Sequence, residues 1–322
     1  MNRRDFVLTT AVIAASTAVA QPAVAYPQKP VKLIVGFPAG QATDLIARLF
    51  ADNLGQRLGQ PLIVENKPGQ GGGLALGYLT QQPADGYAVS LANTGAVITN
   101  QFIQKSLSYS PDKLQPVSLL GDIPLILAAN PRGKINTLKE FIEKAKANPG
   151  KLTYATPGNG TTSHLAMESL KQATGIDVLH IPYTGSSRSL TDLIAGNVDV
   201  SFDTMTTIQP FVDSGKLKAL AIGTPQRVAA LPSVPTLAEF GYRDIIGAVW
   251  IGVFVGTGTS AFVVQKLEAE FAAAVQDPTL KAKLTGAGLY VRYADAKGFT
   301  ALLAADTQKI KKVVETSGIK VD

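Results

Sequence analysis

Apolar residues alternate at Val31, Leu33 and Val35, which predicts a strand, and the alternation stops at Gly36-Phe37-Pro38-Ala39-Gly40. Leu45, Ile46, Leu49, Phe50 and Leu54 then recur at helical spacing and predict a helix with one inward-facing surface. A strand that breaks into a glycine turn and re-emerges as a helix gathers free backbone N–H groups at the positive end of a helix dipole. Residues 31–49 therefore frame an anion site. No Lys or Arg stands in the turn, so backbone and hydroxyl donors would hold the anion.

The same alternation of elements continues along the chain. Pro61–Asn66 predicts a strand, residues 67–73 a glycine-rich loop, and the stretch through Leu76, Leu79 and Thr80 a helix. Asp85-Gly86 turns into a strand over Tyr87–Leu91, which ends at Asn93-Thr94-Gly95. Strands and helices in this order predict βαβ units and a mainly parallel sheet. Leu125–Ala129, closed by Asn130-Pro131, reads as a crossover into a second domain. Beyond it come a helix at 137–147, a strand at Leu152–Thr156, a helix at His164–Ala173 and a strand at Val178–Ile181. A helix at 188–195 and strands at Val198–Phe202 and Leu217–Ile222 follow. Val249–Val255 reads as the return strand and Phe262–Val275 as the clearest helix of the tail. The strand, small-residue loop, helix-start device occurs near residues 36–44, 156–164 and 183–189. If the two halves face each other, all three helix starts converge on one cleft.

Composition narrows the function. A chain of 322 residues, 46% of them hydrophobic, supports two domains more naturally than one. Its net charge of +6 comes from scattered basic residues, and aromatics make up 7%, which gives nucleic-acid binding little support. Asn2-Arg3-Arg4-Asp5-Phe6, a short run rich in Ala, Ser and Thr, and Ala23-Val24-Ala25 predict a twin-arginine export signal over residues 1–25, cleaved after Ala25. The run is too short and too polar to read as a membrane anchor. Cysteine is absent and the histidines are two, His164 and His180, so thiol chemistry and a thiolate or histidine metal centre lack their ligands. There is no G-x-x-x-x-G-K-[ST] and no G-x-S-x-G. Gly158-Asn159-Gly160 opens like a dinucleotide fingerprint, but Ser163 stands where the third small residue belongs. No acid pair stands out. The residues favour binding without chemistry and no cofactor; an exported enzyme on a similar scaffold is the alternative.

Several blocks together resemble one family. They are Tyr26 to Val35 (YPQKPVKLIV), Phe37-Pro38-Ala39-Gly40 with Thr43-Asp44 and Ala47-Arg48, Glu65 to Gly72 (ENKPGQGG), and Asp85-Gly86-Tyr87. Later blocks are Gly158 to His164, Tyr183-Thr184-Gly185, Asp192-Leu193, Gly196-Asn197-Val198-Asp199 and Phe202-Asp203. In this order, across the mature chain, they resemble the Bug family, the substrate-binding proteins of tripartite tricarboxylate transporters. The resemblance implies an α/β chain with the type II periplasmic-binding-protein fold. In that fold two α/β domains, here 26–124 plus 249–322 and 125–248, are joined by crossover strands and close on a ligand in the cleft between them. It implies a periplasmic monomer that captures a small carboxylate: a dicarboxylate, tricarboxylate, acidic amino acid or aromatic carboxylate. The partner would be an integral-membrane permease, or a sensor protein that uses the same closure. Gly36 stands where the family usually has Pro, Gln41 where it has a second Gly, and Thr184 and Arg188 where Lys and Pro are common. These departures lie at the expected ligand rim and bear on the ligand more than on the fold.

The candidate ligand-binding residues follow. Phe37, Pro38, Ala39, Gly40 and Gln41 form the first turn, which could also be a tight connection that needs left-handed glycine. Asn93 and Thr94 end a strand at the side where parallel sheets bind ligands. Gly158, Asn159, Gly160, Thr161, Thr162 and Ser163 offer N–H groups and three hydroxyls beside a helix start. Tyr183 and Thr184 suit a cleft wall. Arg188 is either a solvated surface residue or a bidentate clamp on a second carboxylate. Asp203 is either a strand-end cap or an acceptor for a ligand hydroxyl or ammonium. Thr43 and Asp44 read as first-turn caps, and His164 and His180 as structural residues.

Overall fold

The computed structural model describes residues 26–319, so the export signal lies outside the described residues. The elements run β1 (Val31–Val35), α1 (Ala42–Leu58), β2 (Leu62–Asn66), α2 (Gly73–Thr80), β3 (Ala88–Asn93), α3 (Asn100–Ile103) and β4 (Leu114–Ala129). Then come α4 (Leu138–Ala147), β5 (Thr153–Thr156), α5 (Thr162–Thr174), β6 (Leu179–Pro182), α6 (Ser186–Ala195), β7 (Val200–Thr204), α7 (Met205–Asp213) and β8 (Lys218–Ile222). The chain closes with β9 (Ala248–Gly256), α8 (Ala261–Gln276), α9 (Pro278–Gly286), β10 (Tyr290–Ala294) and α10 (Ala296–Ser317).

The strands form one curled sheet in the order β2-β1-β3-β9-β4-β7-β5-β6, with β10 and β8 added along β4. β1, β2 and β3 are parallel, as are β5, β6 and β7; β9 and β4 run antiparallel to their neighbours. β4 is the shared member. Its first part, Leu114 to Pro124, pairs with β9, and its last part, Leu125 to Ala129, pairs with β7 and β8. The sequence reading placed only residues 125–129 in this strand. Pro116, Gly121 and Pro124 interrupt the apolar pattern before it, and the register shifts between Pro116 and Ser118 and between Leu119 and Gly121 absorb two of them as bulges. Pro124, which has no N–H, stands where β4 leaves β9 and enters the second group of strands.

Period-two alternation sorts each strand between two layers. In β1, Leu33 and Val35 join Phe50 of α1 and Phe271 of α8, while Ile34 joins Leu76 of α2. In β9, Ile251 and Val253 face the first layer, and Trp250 and Phe254 meet Phe299 of α10 in the second. The α1 face is Ile46, Ala47, Phe50, Ala51 and Leu54, all buried. Leu45 corrects the sequence reading: it sits one residue, about 100° of helix turn, off that face and is 42% exposed. α5 and α6 each start two residues earlier than their apolar spacing suggests, at Thr162 and Ser186. Polar residues carry no hydrophobic period, so the first turns were invisible to it.

The crossing point is built from backbone alone. Leu125 donates to the Gly247 carbonyl at 2.9 Å and accepts from Gly223 N–H at 2.9 Å. Gly223 and Gly247 lie against each other, and a Cβ on Gly247 would stand 2.7 Å from Gly223 Cα. Gly247→Ala is therefore expected to lower stability by about 1–3 kcal/mol through overpacking that neither backbone can relieve. Urea denaturation checks it. An unchanged midpoint would show that this crossing tolerates a side chain.

Candidate functional site

β1 and β3 run parallel, β5 and β6 run parallel to β7, and the reversals through β9 and β4 point the second group against the first, so the turns after β1 and β3 face the turns after β5 and β6. In the second half, Gly185 N–H donates to the Pro157 carbonyl at 2.9 Å and Tyr183 N–H to the Thr156 carbonyl at 3.1 Å, which lays the two turns side by side. In the first half the turn at 36–41 leans on the segment after β3 through Gly72. A Cβ on Gly72 would meet Ala96 at 2.8 Å and the Phe37 ring at 3.3 Å. Gly36 rests on the same residue: its Cβ would stand 2.5 Å from Gly72 Cα. The two halves meet where Gly95 faces the start of α5, with the Thr162 hydroxyl 4.0 Å from where a Gly95 Cβ would be. The turn after β3 and the start of α5 thus confront one another.

Two of the helix starts share a construction. At α1, Gly40 is left-handed (φ 82°), Gln41 is the N-cap, and Asp44 in the first turn reaches back to accept Gly40 N–H at 2.8 Å. At α5, Gly160 is left-handed (φ 68°), Thr161 is the N-cap, and His164 reaches back to accept Gly160 N–H at Nδ1 at 3.1 Å. In each case the side chain at the third helical position satisfies the glycine ahead of the cap. The N–H groups of Ala42 and Thr43, and of Thr162 and Ser163, find no acceptor among the described residues. Unpaired donors at a helix start are the kind of group that binds an anion.

Asp44 is buried and well held. Burial pushes its carboxyl up, but Arg48 at 2.9 Å, Gly40 N–H and Asn66 at 2.8 Å more than reverse this, leaving it below the ordinary carboxylate range. It caps rather than projecting into the cleft. Asn66 also donates to the Phe37 carbonyl at 2.9 Å and so ties β2 to the first turn. The sequence reading did not include Asn66 or Gly72 in the site; their roles depend on the pairing of β2 with β1 and on the fold of the glycine loop.

The other candidates divide by what already occupies them. Pro38, Ala39, Gly40, Gln41, Asn159, Thr184 and Arg188 are exposed, and Arg188, in the first turn of α6, makes no hydrogen bond or ion pair among the described residues. Thr161 is committed as a cap: its hydroxyl accepts His164 N–H and donates to the Gly158 carbonyl at 2.8 Å. Thr94 is buried and its hydroxyl accepts Trp250 N–H at 3.1 Å, fastening β3 to β9. Asn93 accepts Ala96 N–H at 3.0 Å. The Tyr183 hydroxyl donates to Asp192 at 2.6 Å, and burial together with Asp192 pushes its pKa up to about 12. A cavity of about 360 Å³ opens at the crossing point, and of the predicted residues only Thr94 lines it. Among the described residues, no group of three or more His, Asp or Glu side chains is placed to hold a metal.

Asp203, at the end of β7, is 1% exposed. One oxygen accepts Thr204 N–H at 2.7 Å and the other has no partner among the described residues. Burial pushes its carboxyl up to about 6, opposed by the hydroxyls of Ser186, Thr207 and Thr204 around it. The folded state therefore binds a proton that the unfolded chain has released between pH 3.8 and about 6, and this stability is lost as pH rises through about 6. Asp203→Asn removes the buried charge. It is expected to raise stability at pH 8 by roughly 2–3 kcal/mol, with the advantage shrinking toward pH 4.5. Melting curves at the two pH values check it, and equal gains at both would count against a raised Asp203.

The chain is similar over most of its length to proteins of one family. Residues 46–319 match the family model described as tripartite tricarboxylate transporter family receptor. The protein BugT of Bordetella pertussis is 32% identical over 325 residues, covering 100% of both chains. The solved structure of R. palustris Rpa4515 with adipate superposes with a TM-score of 0.83 at 29% identity, covering 92% of this chain and 99% of that one. MatC from Rhodopseudomonas palustris with bound malate gives 0.77 at 29% identity, covering 90% and 100%. Such proteins are substrate-binding receptors rather than enzymes, and among the described residues no helix is long and apolar enough to cross a membrane. The chain belongs to the Bug family, the periplasmic solute-binding receptors of the tripartite tricarboxylate transporter type.

Proposed function

We propose that this receptor captures a small carboxylate in the cleft between residues 26–124 plus 249–322 and residues 125–248. The observation that carries this reading is the pair of helix starts whose first N–H groups lack acceptors among the described residues, in turns that contain no Lys or Arg. Such donors suit a carboxylate, whose lone pairs can accept several N–H groups at once. Rpa4515 was solved with adipate and MatC with malate, which supports the same ligand class here.

Closure would follow from the split of donors between the halves. Only with both halves in contact does a ligand meet the α1 and the α5 starts together, so binding shifts the population toward the closed form. Gly223 and Gly247, where β4 changes partners, are the places where the backbone would turn. Export by the signal at residues 1–25 would deliver the monomer to the periplasm, where the closed form docks on a membrane permease. In the cleft, Pro38, Ala39, Gly40 and Gln41 would border the ligand from one side and Asn159, Thr162, Ser163 and Thr184 from the other. Arg188, exposed and without an ion pair among the described residues, would clamp a second carboxylate.

A thermal-shift screen of residues 26–322 tests this. The panel holds C4–C6 diacids, citrate, aspartate, glutamate, benzoate and pyridine carboxylates, with neutral amides and sugars as controls. One acid class is expected to raise the melting temperature with concentration. If that class is diacids, Arg188→Ala should weaken them by about 10-fold or more, the scale of a lost charge-assisted hydrogen bond, and leave monoacids unchanged. A flat response to every acid would overturn the reading.

A further inference from the structure

The two histidines of the chain lie beside the turn at 157–163, His164 bonded to it directly and His180 through Thr156. Their rings stack with centroids 3.8 Å apart and planes 23° apart, and the Tyr154 ring stacks on His180 at 4.7 Å. Tyr154 donates its hydroxyl to Glu168 at 2.7 Å, and Lys171 donates to the same Glu168 oxygen at 2.8 Å. On the cleft side, His164 Nδ1 accepts Gly160 N–H, and His180 Nε2 lies 2.7 Å from the Thr156 hydroxyl, which donates to the Gly158 carbonyl at 3.1 Å.

The contact at His164 decides where its ring proton sits. A backbone N–H can only donate, so His164 Nδ1 must be bare and any ring proton must lie on Nε2. The Thr156 hydroxyl, which lies between His180 Nε2 and the Gly158 backbone, links the second ring to the same turn. Both rings are neutral in this network, and a stack at 3.8 Å is no place for two cations. Burial first, and then Lys171, pushes His164 down to about 4. Burial, His164 and Lys171 push His180 down to about 3 against the opposing pull of Glu168.

We propose that His164 is a positioning residue for ligand capture: its bare Nδ1 holds Gly160 N–H and so aims the free N–H groups of Thr162 and Ser163 into the cleft. It fills at α5 the place that Asp44 fills at α1. The difference lies in charge. Asp44 accepts through a carboxylate already neutralised by Arg48, whereas a neutral ring at α5 adds no negative charge beside the donors that receive the anion. A proton on Nδ1 would set N–H against N–H and release the turn. The inference rests on the carboxylate-capture reading for what the aimed groups bind, and on the hydrogen bond alone for the aiming.

Two variants separate the acceptor from the ring. His164→Asn keeps an acceptor, Oδ1, at the place of Nδ1 and loses the stack. His164→Phe keeps a ring and loses the acceptor. Calorimetric titration with adipate and malate at pH 7.5 should leave His164→Asn within about threefold of wild type and weaken His164→Phe at least tenfold, although the ring-bearing variant melts closer to wild type. A structural role alone would give the opposite order in affinity. The ratio of wild-type to His164→Asn affinity should fall between pH 5.5 and 4, a ratio in which protonation of the ligand itself cancels. Amide hydrogen exchange on the ligand-free protein supplies the second readout, with Gly160 exchanging at least tenfold faster in His164→Phe than in wild type or His164→Asn. If no acid binds wild type but Gly160 exchange follows the acceptor, the capture reading fails and the positioning role stands. If Gly160 exchange is the same in all three, the positioning role is overturned whatever binds.

Discussion

The structure depends on β4, and β4 depends on the backbone bonds at Leu125. One residue there is held by the Gly247 carbonyl at its N–H and by the Gly223 N–H at its carbonyl, so three chain segments cross within hydrogen-bonding distance of one another. Any side chain at either glycine would drive the segments apart. Because β4 serves both groups of strands, it carries the parallel strands β1–β3 and β5–β7 on either side of the crossing. Their carboxyl ends, and the helix starts that follow, are thereby brought to a common region.

What the helix starts offer is a set of hydrogen bonds left unmade. An unpaired N–H costs free energy where water cannot reach it, and Thr43, Thr162 and Ser163 are buried residues, so a ligand that accepts from these groups would recover that cost. Keeping them aimed requires that the rest of each turn be fully satisfied. Asp44, supported by Arg48 and Asn66, does this for α1; Thr161 and His164, supported by Thr156 and His180, do it for α5. The acceptors sit behind the turn and the donors in front. Oriented dipoles at helix starts favour negative charge even where, as here, the turns hold no basic residue.

Much of this was legible in the amino-acid order. The alternation at Val31, Leu33 and Val35 and the helical spacing of Ile46, Phe50 and Leu54 come from periods of 2 and 3.6 residues, which are local properties of backbone geometry, and the structure has β1 and α1 there. The glycine turns were legible for the same reason, since left-handed Gly40 and Gly160 precede polar caps. The order of strands and helices gave an α/β chain, and the family blocks added the particular two-domain binding fold.

Other features were not local, and only the tertiary structure decided them. The length of β4 was hidden because its first half is broken by prolines and a glycine that only the pairing with β9 explains. Leu45 turned outward because partners from α8 and the sheet, absent from its own neighbourhood in sequence, define which face of α1 is buried. The hydroxyls of Thr94 and Tyr183 proved to be taken by Trp250 and Asp192, and Asn66 and His180 proved to brace turns distant from them in sequence. Sequence determined which segments can form strands, helices and left-handed turns, because those choices are made within a few residues. Which polar groups are consumed in bracing and which are left for a ligand was settled by strand order, because a hydrogen-bond partner is chosen by position in space.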